Sequence, residues 1–375
     1  MNAPREWTAR EREWMAQSLA LGAQAEGHTS PNPRVGCLVV VEDRVVGRGI
    51  HRAPGESHAE VMAIEEAGER ANGATLYVNL EPCAHHGRTP PCVDLIVQRG
   101  VRRVVASIQD PNPLVDGKGF GRLREAGIQV DVGLLDHDAR RLNESFIHWH
   151  VHGRPLVTVK AALSADGMLS ADRGVSQWIT GPLARRFAHR LRLAHDAVLV
   201  GAETVRRDDP RLTVRLGDKK EVRRRIIVTR SLDLDPGARI FAQDESETRV
   251  YTTEDAANER AARLAGRAEV IRVPEGRGGL SLEAVLEDLG SLGVQSVLVE
   301  GGARTLAGFV SGALAQRAAL FYAGKLLGAR GGTPFLDEAT VASPESGWRV
   351  EREQLIPLGP DLLVLGRLER PGQEV

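Results

Sequence analysis

Cysteine is scarce in this 375-residue chain: there are three, an odd and small number. That excludes a disulfide framework and points to a reducing, cytoplasmic setting. In that setting, cysteines close to histidine and glutamate read as metal ligands or catalytic groups. An excess of one charge is also missing. Lysine plus arginine is 49 against 50 aspartate plus glutamate, a net charge of −1. No overall field is left to hold a nucleic-acid backbone or an anionic membrane, although local arginines can still hold a small anion. Aromatic residues are 4% of the chain, and none interleave with basic residues in a run that would stack single-stranded bases. No apolar run approaches the ~18 residues of a membrane span. The opening MNAPREWTAREREW is charged and lacks the apolar core of a secretory signal. There is no repeat and no low-complexity tract. No G-x-G-x-x-G follows a strand pattern; GKGFG at 117–121 is not one.

What is present is 42% apolar and 26% charged, the balance of a globular protein, at a length that calls for two domains. Residues 1–150 alternate strand and helix patterns. Helices are expected over Glu11–Ala25, Ala59–Arg70, CVDLIVQRG (92–100), FGRLREAG (120–127) and Asp136–Phe146. Val35–Val41 and Arg44–Gly49 read as a hairpin, followed by the strands ATLYVNL, RRVVASI and IQVDVGL. IHWHVHGRP reads as the crossing point between domains. Its alternating histidines would share a side only if extended, and the segment is taken as a connection.

Residues 151–375 repeat the alternation. Strands are expected at LVTVKAAL, DAVLV, RRIIVTR, TRVYT, AEVIRV, QSVLVE, AALFYAGKLL and DLLVLGRLE. Helices are expected near Pro182–Arg192 and at AETVRR, SLEAVLEDLGSLG and GGARTLAGFVSGAL, with sheet-free surface loops at RLGDKKE (215–221) and PEGRGG (274–279). Each half is therefore an α/β domain with helices on a mixed sheet.

The densest chemistry lies in SHAE (57–60) and EPCAHHGRTPPC (81–92). Ser57 is a fair helix cap. His58 and Glu60, two apart, do not share a face inside a regular helix, so both reach one centre only from its opening turn. Cys83 follows a strand and Cys92 opens a helix behind Pro90-Pro91. One histidine and two thiolates give zinc three ligands and leave the fourth position to water. Glu60 is then free to take the water's proton and pass it to a leaving amine. This is the zinc-deaminase pattern H-x-E then P-C-x-x-C, except that eight residues separate Cys83 from Cys92. Cys37, inside GCLVVV, reads as core. Two rivals remain: a nucleic-acid or nucleoside zinc deaminase with an appended binding domain, and a non-catalytic zinc-stabilised regulator. The near-zero charge opposes nucleic acid, and a structural site would have no use for Glu60.

In the second half, Lys160 ends a strand, and Gly201 and Gly301-Gly302 each stand between a strand and a helix. Such turns let backbone amides approach a phosphate, although glycine is also an ordinary turn residue.

PNPRVGC, GIHRAPGESHAE, LEPCAHHGRTPPC and DPNPLVDGKGF together resemble the deaminase half of the bifunctional riboflavin-biosynthesis deaminase/reductases, where the long cysteine spacing is the normal form. GRPLVTVKAALSADG, SQWITG, RLRLAHDAVLVGAETV, DDPRLTVR and VEGGARTL resemble its reductase half. The resemblance implies a cytidine-deaminase-like domain followed by a dihydrofolate-reductase-like one, using Zn²⁺ and NADPH on a diaminopyrimidinone ribosylamino phosphate. A homo-oligomer is expected, without a nucleic-acid or membrane partner. It implies deaminase contacts at Asn32, His51, His85, Arg88, Asp110 and Asn112. For the reductase it implies catalytic Asp208 and Lys160, and substrate contacts at Thr180, Arg192, Leu212, Arg215 and Glu300. Ala162, Ser164, Trp178, Thr204, Arg230, Ser231, Gly301 and Gly302 fall to the cofactor side. Met168 stands where the family commonly has a basic residue, and ALAQRAALFYAGKLLG lacks its usual acidic residue and proline.

Overall fold

The structure is a computed structural model. It describes residues 5–85, 90–171, 178–216, 219–221, 223–244, 246–276, 279–328, 330, 332–336, 341 and 343–370. Arg88 lies outside the described residues. The chain divides into two compact units, Met1–His152 and Gly153–Val375.

In the first unit the order is α1 (Ala9–Ala23), β1 (Gly36–Val41), β2 (Arg44–Ile50), α2 (Ala59–Ala67), β3 (Thr75–Leu80), α3 (Cys92–Gln98), β4 (Arg103–Ile108), α4 (Lys118–Glu125), β5 (Gln129–Val132), α5 (Asp136–Leu142) and α6 (Glu144–His152). The sheet order is β2-β1-β3-β4-β5. β1 is antiparallel to β2 and β3, and β3, β4 and β5 are parallel. This register sets the site. Gly36 pairs with Ile50, so the start of β1 and the end of β2 share one sheet edge with the ends of β3 and β4. Residues just outside those four ends (Asn32, His51, Cys83 and Asp110) therefore emerge together.

Period-two alternation buries both faces of β1. Cys37 and Val39 join one core cluster with Ala59, Ala63 and Ile96, while Leu38 and Val40 join another with Trp14 and Met15. Cys37 is thus core, and burial raises its thiol pKa. Helix α2 lies unusually close to β2. A Cβ on Gly49 would come within 1.8 Å of the Ala59 carbonyl oxygen, and one on Gly47 within 2.0 Å of that of Ala63. The GRG of VVGRGI is what lets the first turn of α2, with His58 and Glu60, sit down on the sheet.

Four expectations for this unit are corrected. Helix α1 starts two residues early because Thr8 and Glu11 form a reciprocal capping box: Thr8 Oγ1 accepts from the Glu11 amide at 3.1 Å and Glu11 returns the bond to Thr8 N at 2.9 Å. The cap of α2 is His58, not Ser57, and it makes no side-chain cap bond. The helix expected over Asp136–Phe146 breaks at Asn143, whose side chain accepts from Arg34 N (2.8 Å) and donates to Arg34 O (3.1 Å). IHWHVHG then continues as helix α6 rather than as an irregular crossing.

The second unit runs β6 (Leu156–Ser164), β7 (Met168–Ser170), α7 (Pro182–Ala194), β8 (Ala197–Gly201), α8 (Ala202–Asp208), β9 (Val214–Leu216), β10 (Lys219–Glu221), β11 (Arg224–Val228), β12 (Thr248–Thr253), α9 (Asn258–Ala262), β13 (Glu269–Val273), β14 (Glu275–Gly276), β15 (Gly279–Leu280), α10 (Leu282–Ser291), β16 (Ser296–Val299), α11 (Ala303–Ser311), β17 (Arg317–Ala323), β18 (Thr333–Pro334), β19 (Arg349–Leu358) and β20 (Asp361–Glu369). Its main sheet has the order β13-β12-β11-β8-β16-β6-β17-β20-β19. The seven strands from β13 to β17 are parallel, and β20 and β19 close the sheet antiparallel. The carboxyl ends of β6, β8 and β16 therefore face the same way, where open α/β sheets bind ligands.

Here the structure adds strand. The segments expected to be sheet-free contain the two-stranded pairs β9–β10 and β14–β15, which satisfy their backbone groups locally. β19 was not expected, and β17 stops at Ala323, short of GKLL.

Candidate active sites

In the first unit the sheet edge opens into a cavity of about 620 Å³. Asn32, His51, His58, Glu60, Cys83, His85, Asp110 and Asn112 all line it, so the described members of the expected deaminase set, apart from Cys92, face one space. His58 Nδ1 lies 3.1 Å from Cys92 Sγ and 3.5 Å from Cys83 Sγ, and all three donor atoms fall within 4.8 Å of one another. Bonds of about 2.0 Å to nitrogen and 2.3 Å to sulfur put tetrahedral zinc ligands about 3.5–3.8 Å apart, so the donor set fits the ion. Cys92 opens α3, and its amide donates to Cys83 Sγ at 3.3 Å. Hydrogen bonding from Cys92, and then from His58, holds Cys83 well down as a thiolate against the cost of burial. Glu60 is buried beside this cluster. Burial first, and then the Cys83 thiolate, push its carboxyl up to about 7.

The remaining walls are set by hydrogen bonds. His51 Nδ1 donates to the Ser57 carbonyl (3.2 Å), so its Nε2 is left to accept from Asn32 Nδ2 (2.9 Å). That fixes both the amide orientation and the neutral tautomer. Asp110 Oδ1 accepts from Asn112 N at 2.9 Å, and burial raises the Asp110 pKa to about 7. His85 keeps a buried Nδ1 with no hydrogen-bond partner among the described residues.

The sequence reading missed two features of this cavity. Glu81 is buried and takes four backbone amides: Asp110 (3.2 Å) and Gly117 (3.0 Å) on Oε2, Gly119 (2.9 Å) and Phe120 (3.1 Å) on Oε1. It caps α4 and ties the Asp110–Asn112 loop to the strand end that carries Cys83. The acidic residue before Pro82 was the available signal. Phe146, Trp149 and His150 of α6 also line the cavity, the last two from the segment read as a connection.

If Cys83 is a zinc ligand, Cys83→Ser should lose most of its bound zinc in elemental analysis while NADPH oxidation by the second unit persists. Full metal content in the variant would remove Cys83 from the ligand set.

The second unit has its own cavity of about 510 Å³ at the carboxyl ends of β6, β8 and β16. Lys160, Ala162, Trp178, Thr180, Arg192, Thr204, Asp208, Leu212, Arg215, Glu300, Gly301 and Gly302 line it. Ser164, Arg230 and Ser231 do not. Ser164 is buried and donates to Asp166 (2.5 Å), and the exposed Arg230 pairs with Glu275 (3.3 Å).

Glu300 and Arg192 form the cavity's buried ion pair. Arg192 donates through Nε and Nη2 (2.9 Å) to the two carboxylate oxygens, and through Nη1 to the Thr213 carbonyl (3.0 Å). Burial would raise the Glu300 pKa, but Arg192, then Lys160, bring it to about 2. Burial lowers the pKa of Lys160. Arg215, Arg211 and Arg239 line the same cavity. Their frame is Arg225, a fully buried arginine of β11 that donates to the Arg211 carbonyl (3.0 Å) and the Ile240 carbonyl (3.1 Å) and pairs with Asp244 (2.5 Å). Leu212 reaches the wall at a φ of 50° with its side chain buried. At the mouth of α11 a Cβ on Gly301 would come within 2.6 Å of Thr204 Oγ1, and Gly302 has a φ of 73°. Only glycine leaves such a cradle open to a pyrophosphate, so this wall fits a dinucleotide.

Residues 8–108 match the family model of the cytidine and deoxycytidylate deaminase zinc-binding region, and residues 155–364 match that of the RibD C-terminal domain. The riboflavin biosynthesis protein RibD of Aquifex aeolicus is 41% identical over 354 residues, 94% of this chain and 97% of that protein. That of Bacillus amyloliquefaciens is 38% identical over 353 residues, 94% and 95% of the two chains. Among solved structures, Acinetobacter baumannii RibD superposes with a TM-score of 0.87 at 33% identity, over 96% of this chain and 99% of that one. The diaminohydroxyphosphoribosylaminopyrimidine deaminase/5-amino-6-(5-phosphoribosylamino)uracil reductase of Thermotoga maritima does so with a TM-score of 0.82 at 35% identity, over the same shares.

Proposed function

Because the chain belongs to the RibD family of riboflavin-biosynthesis enzymes, a zinc deaminase joined to an NADPH-dependent reductase, we propose that its two cavities act in turn on one phosphorylated pyrimidine. The first releases ammonia from 2,5-diamino-6-(5-phosphoribosylamino)pyrimidin-4-one. The second reduces the ribosyl group of the product to ribityl. The observation that carries this reading is the His58–Cys83–Cys92 cluster with buried Glu60 beside it, in a cavity that also holds Asn32 and His51.

His58 Nδ1 and the two sulfurs hold the metal. Zinc, when bound, supplies Lewis acidity that brings the pKa of water from about 16 to about 7. Glu60, shielded from bulk water, takes the proton and hands it to the departing amine. Asn32 and His51, locked by their mutual bond, meet the edge of the flat ring.

In the second cavity NADPH supplies the hydride. Gly301, Gly302 and Thr204 form its cradle, and Ala162 and Trp178 line the same cavity. Arg192 is largely engaged by Glu300 and Thr213, so the phosphate of the substrate falls chiefly to Arg215, with Arg211 and Arg239 beside it. Asp208, at the end of α8, protonates the ring oxygen as the sugar opens, and Lys160 holds a second proton in the cavity. Asp208→Asn should slow NADPH oxidation about a hundredfold while leaving the Kd for NADPH within about twofold. Unchanged turnover would remove the acid role.

The reading includes a cytoplasmic setting, supported by three cysteines without a disulfide, and a homo-oligomer, which a sizing measurement tests. The deciding experiment supplies the diaminopyrimidinone with and without NADPH. Ammonia should appear without the cofactor, and oxidation should follow only when it is added. Oxidation without ammonia release would reverse the proposed order.

A further inference from the structure

Four histidines line the deaminase cavity: His51, His58, His85 and His150. No lysine or arginine lines it among the described residues. His51 spends both ring nitrogens on Ser57 and Asn32, and the Nδ1 of His58 faces the two sulfurs. His150 differs. It lies on α6, and neither of its ring nitrogens has a hydrogen-bond partner among the described residues. Its ring is nonetheless held in place. Phe146, one turn earlier, meets it edge-on at 4.5 Å between centroids with planes at 71°, and Trp149 meets it at 4.8 Å and 74°. Phe146 is itself part of the core, so the clamp is anchored on one side.

A clamped imidazole with both nitrogens uncommitted, on the wall of a cavity whose other polar groups are largely paired, is a hydrogen-bonding group without a protein task. We propose that His150 is a substrate-positioning residue of the deaminase, donating a ring N–H to an oxygen of the phosphorylated aminopyrimidine. This rests on the assignment of the cavity to deamination. Burial lowers the pKa of His150, so the neutral ring, one donor and one acceptor, is the form present near neutrality. The clamp limits the entropy lost when the bond forms, because the ring does not have to be ordered by the substrate.

The test uses the full-length, zinc-loaded enzyme and two variants. His150→Phe keeps an aromatic ring between Phe146 and Trp149 but removes both nitrogens. His150→Gln keeps a donor and an acceptor without the ring. KM for ammonia release should rise about three- to tenfold in His150→Phe, the worth of one hydrogen bond, with kcat within about twofold. His150→Gln should recover most of that loss. Zinc content and NADPH oxidation on deaminated substrate should match the parent in both, which shows that each variant is folded. An unchanged KM in His150→Phe overturns the proposal, as does equal impairment of the two variants, which would make His150 a packing residue. Failure of the parent enzyme itself to release ammonia would instead remove the deaminase reading on which the proposal stands.

Discussion

Replacing Glu60 by glutamine should cut ammonia release at least about a thousandfold while NADPH oxidation on already deaminated substrate stays within about twofold of the parent. The side chain is nearly isosteric, so zinc content should not change. The difference lies in the proton. Hydrolytic deamination needs one group that accepts a proton from water and later returns it to the leaving amine, and an amide does neither. The structure gives Glu60 the right surroundings for both halves. It is buried beside the three donor atoms, and burial together with the Cys83 thiolate brings its pKa to about 7, midway between a firm acid and a firm base. Ammonia is measured directly, and the second activity is followed by NADPH absorbance on the same preparation. If both activities fall together, the two-cavity division fails. If ammonia release survives, Glu60 is not the proton carrier.

The cluster of three donor side chains was legible in the sequence because its chemistry is local and rare. His58 with Glu60, then Cys83 after a strand and Cys92 at a helix start, required only that element ends converge, and the antiparallel β1–β3 pairing beside parallel β3–β4 makes them do so. The cytidine-deaminase-like and dihydrofolate-reductase-like classes were legible through longer motifs. What escaped was non-local. β19 is nowhere fully buried, carries four charged residues in its first half and takes its register from β20 alone. The break at Asn143 depends on Arg34, 109 residues earlier in the chain. Glu81 holds a loop that begins 29 residues later. Trp149 and His150 of α6 looked like part of a linker because only the break at Asn143 and the continuing helix place them on the cavity wall. Conversely, Arg230 and Ser231 follow a strand as expected, yet do not line the second unit's cavity.

Glu300→Gln should strike the second unit hard, though less than Glu60→Gln strikes the first. In the parent, the Glu300 carboxylate faces Arg192 in a two-pronged pair and sits near Lys160. Removing the negative charge leaves two cations in a largely buried space, and breaking such a pair costs about 3–5 kcal/mol. NADPH oxidation should fall at least about a hundredfold, because Arg192 loses its tether and Lys160 loses the carboxylate that supports its charge against burial. Ammonia release should not change. The same substitution should alter acid sensitivity most at low pH. The folded pKa of Glu300, about 2, lies below the ordinary 4.5, so its stabilisation is complete above pH 4.5 and fades as pH falls toward 2. His189 covers a higher window. Burial, then Arg192 and Arg215, push its pKa down to about 4 from 6.5, so protonation favours the unfolded chain as pH falls from 6.5 to 4. Thermal unfolding followed against pH should therefore show the parent losing stability in two overlapping stages. Glu300→Gln should shrink the lower stage, to which Asp166, Glu11, Glu203 and Glu247 also contribute, and carry the upper one to lower pH, because Glu300 supports the His189 charge. A variant that keeps both the parental turnover and the full lower stage would show that the carboxylate holds nothing the reductase needs.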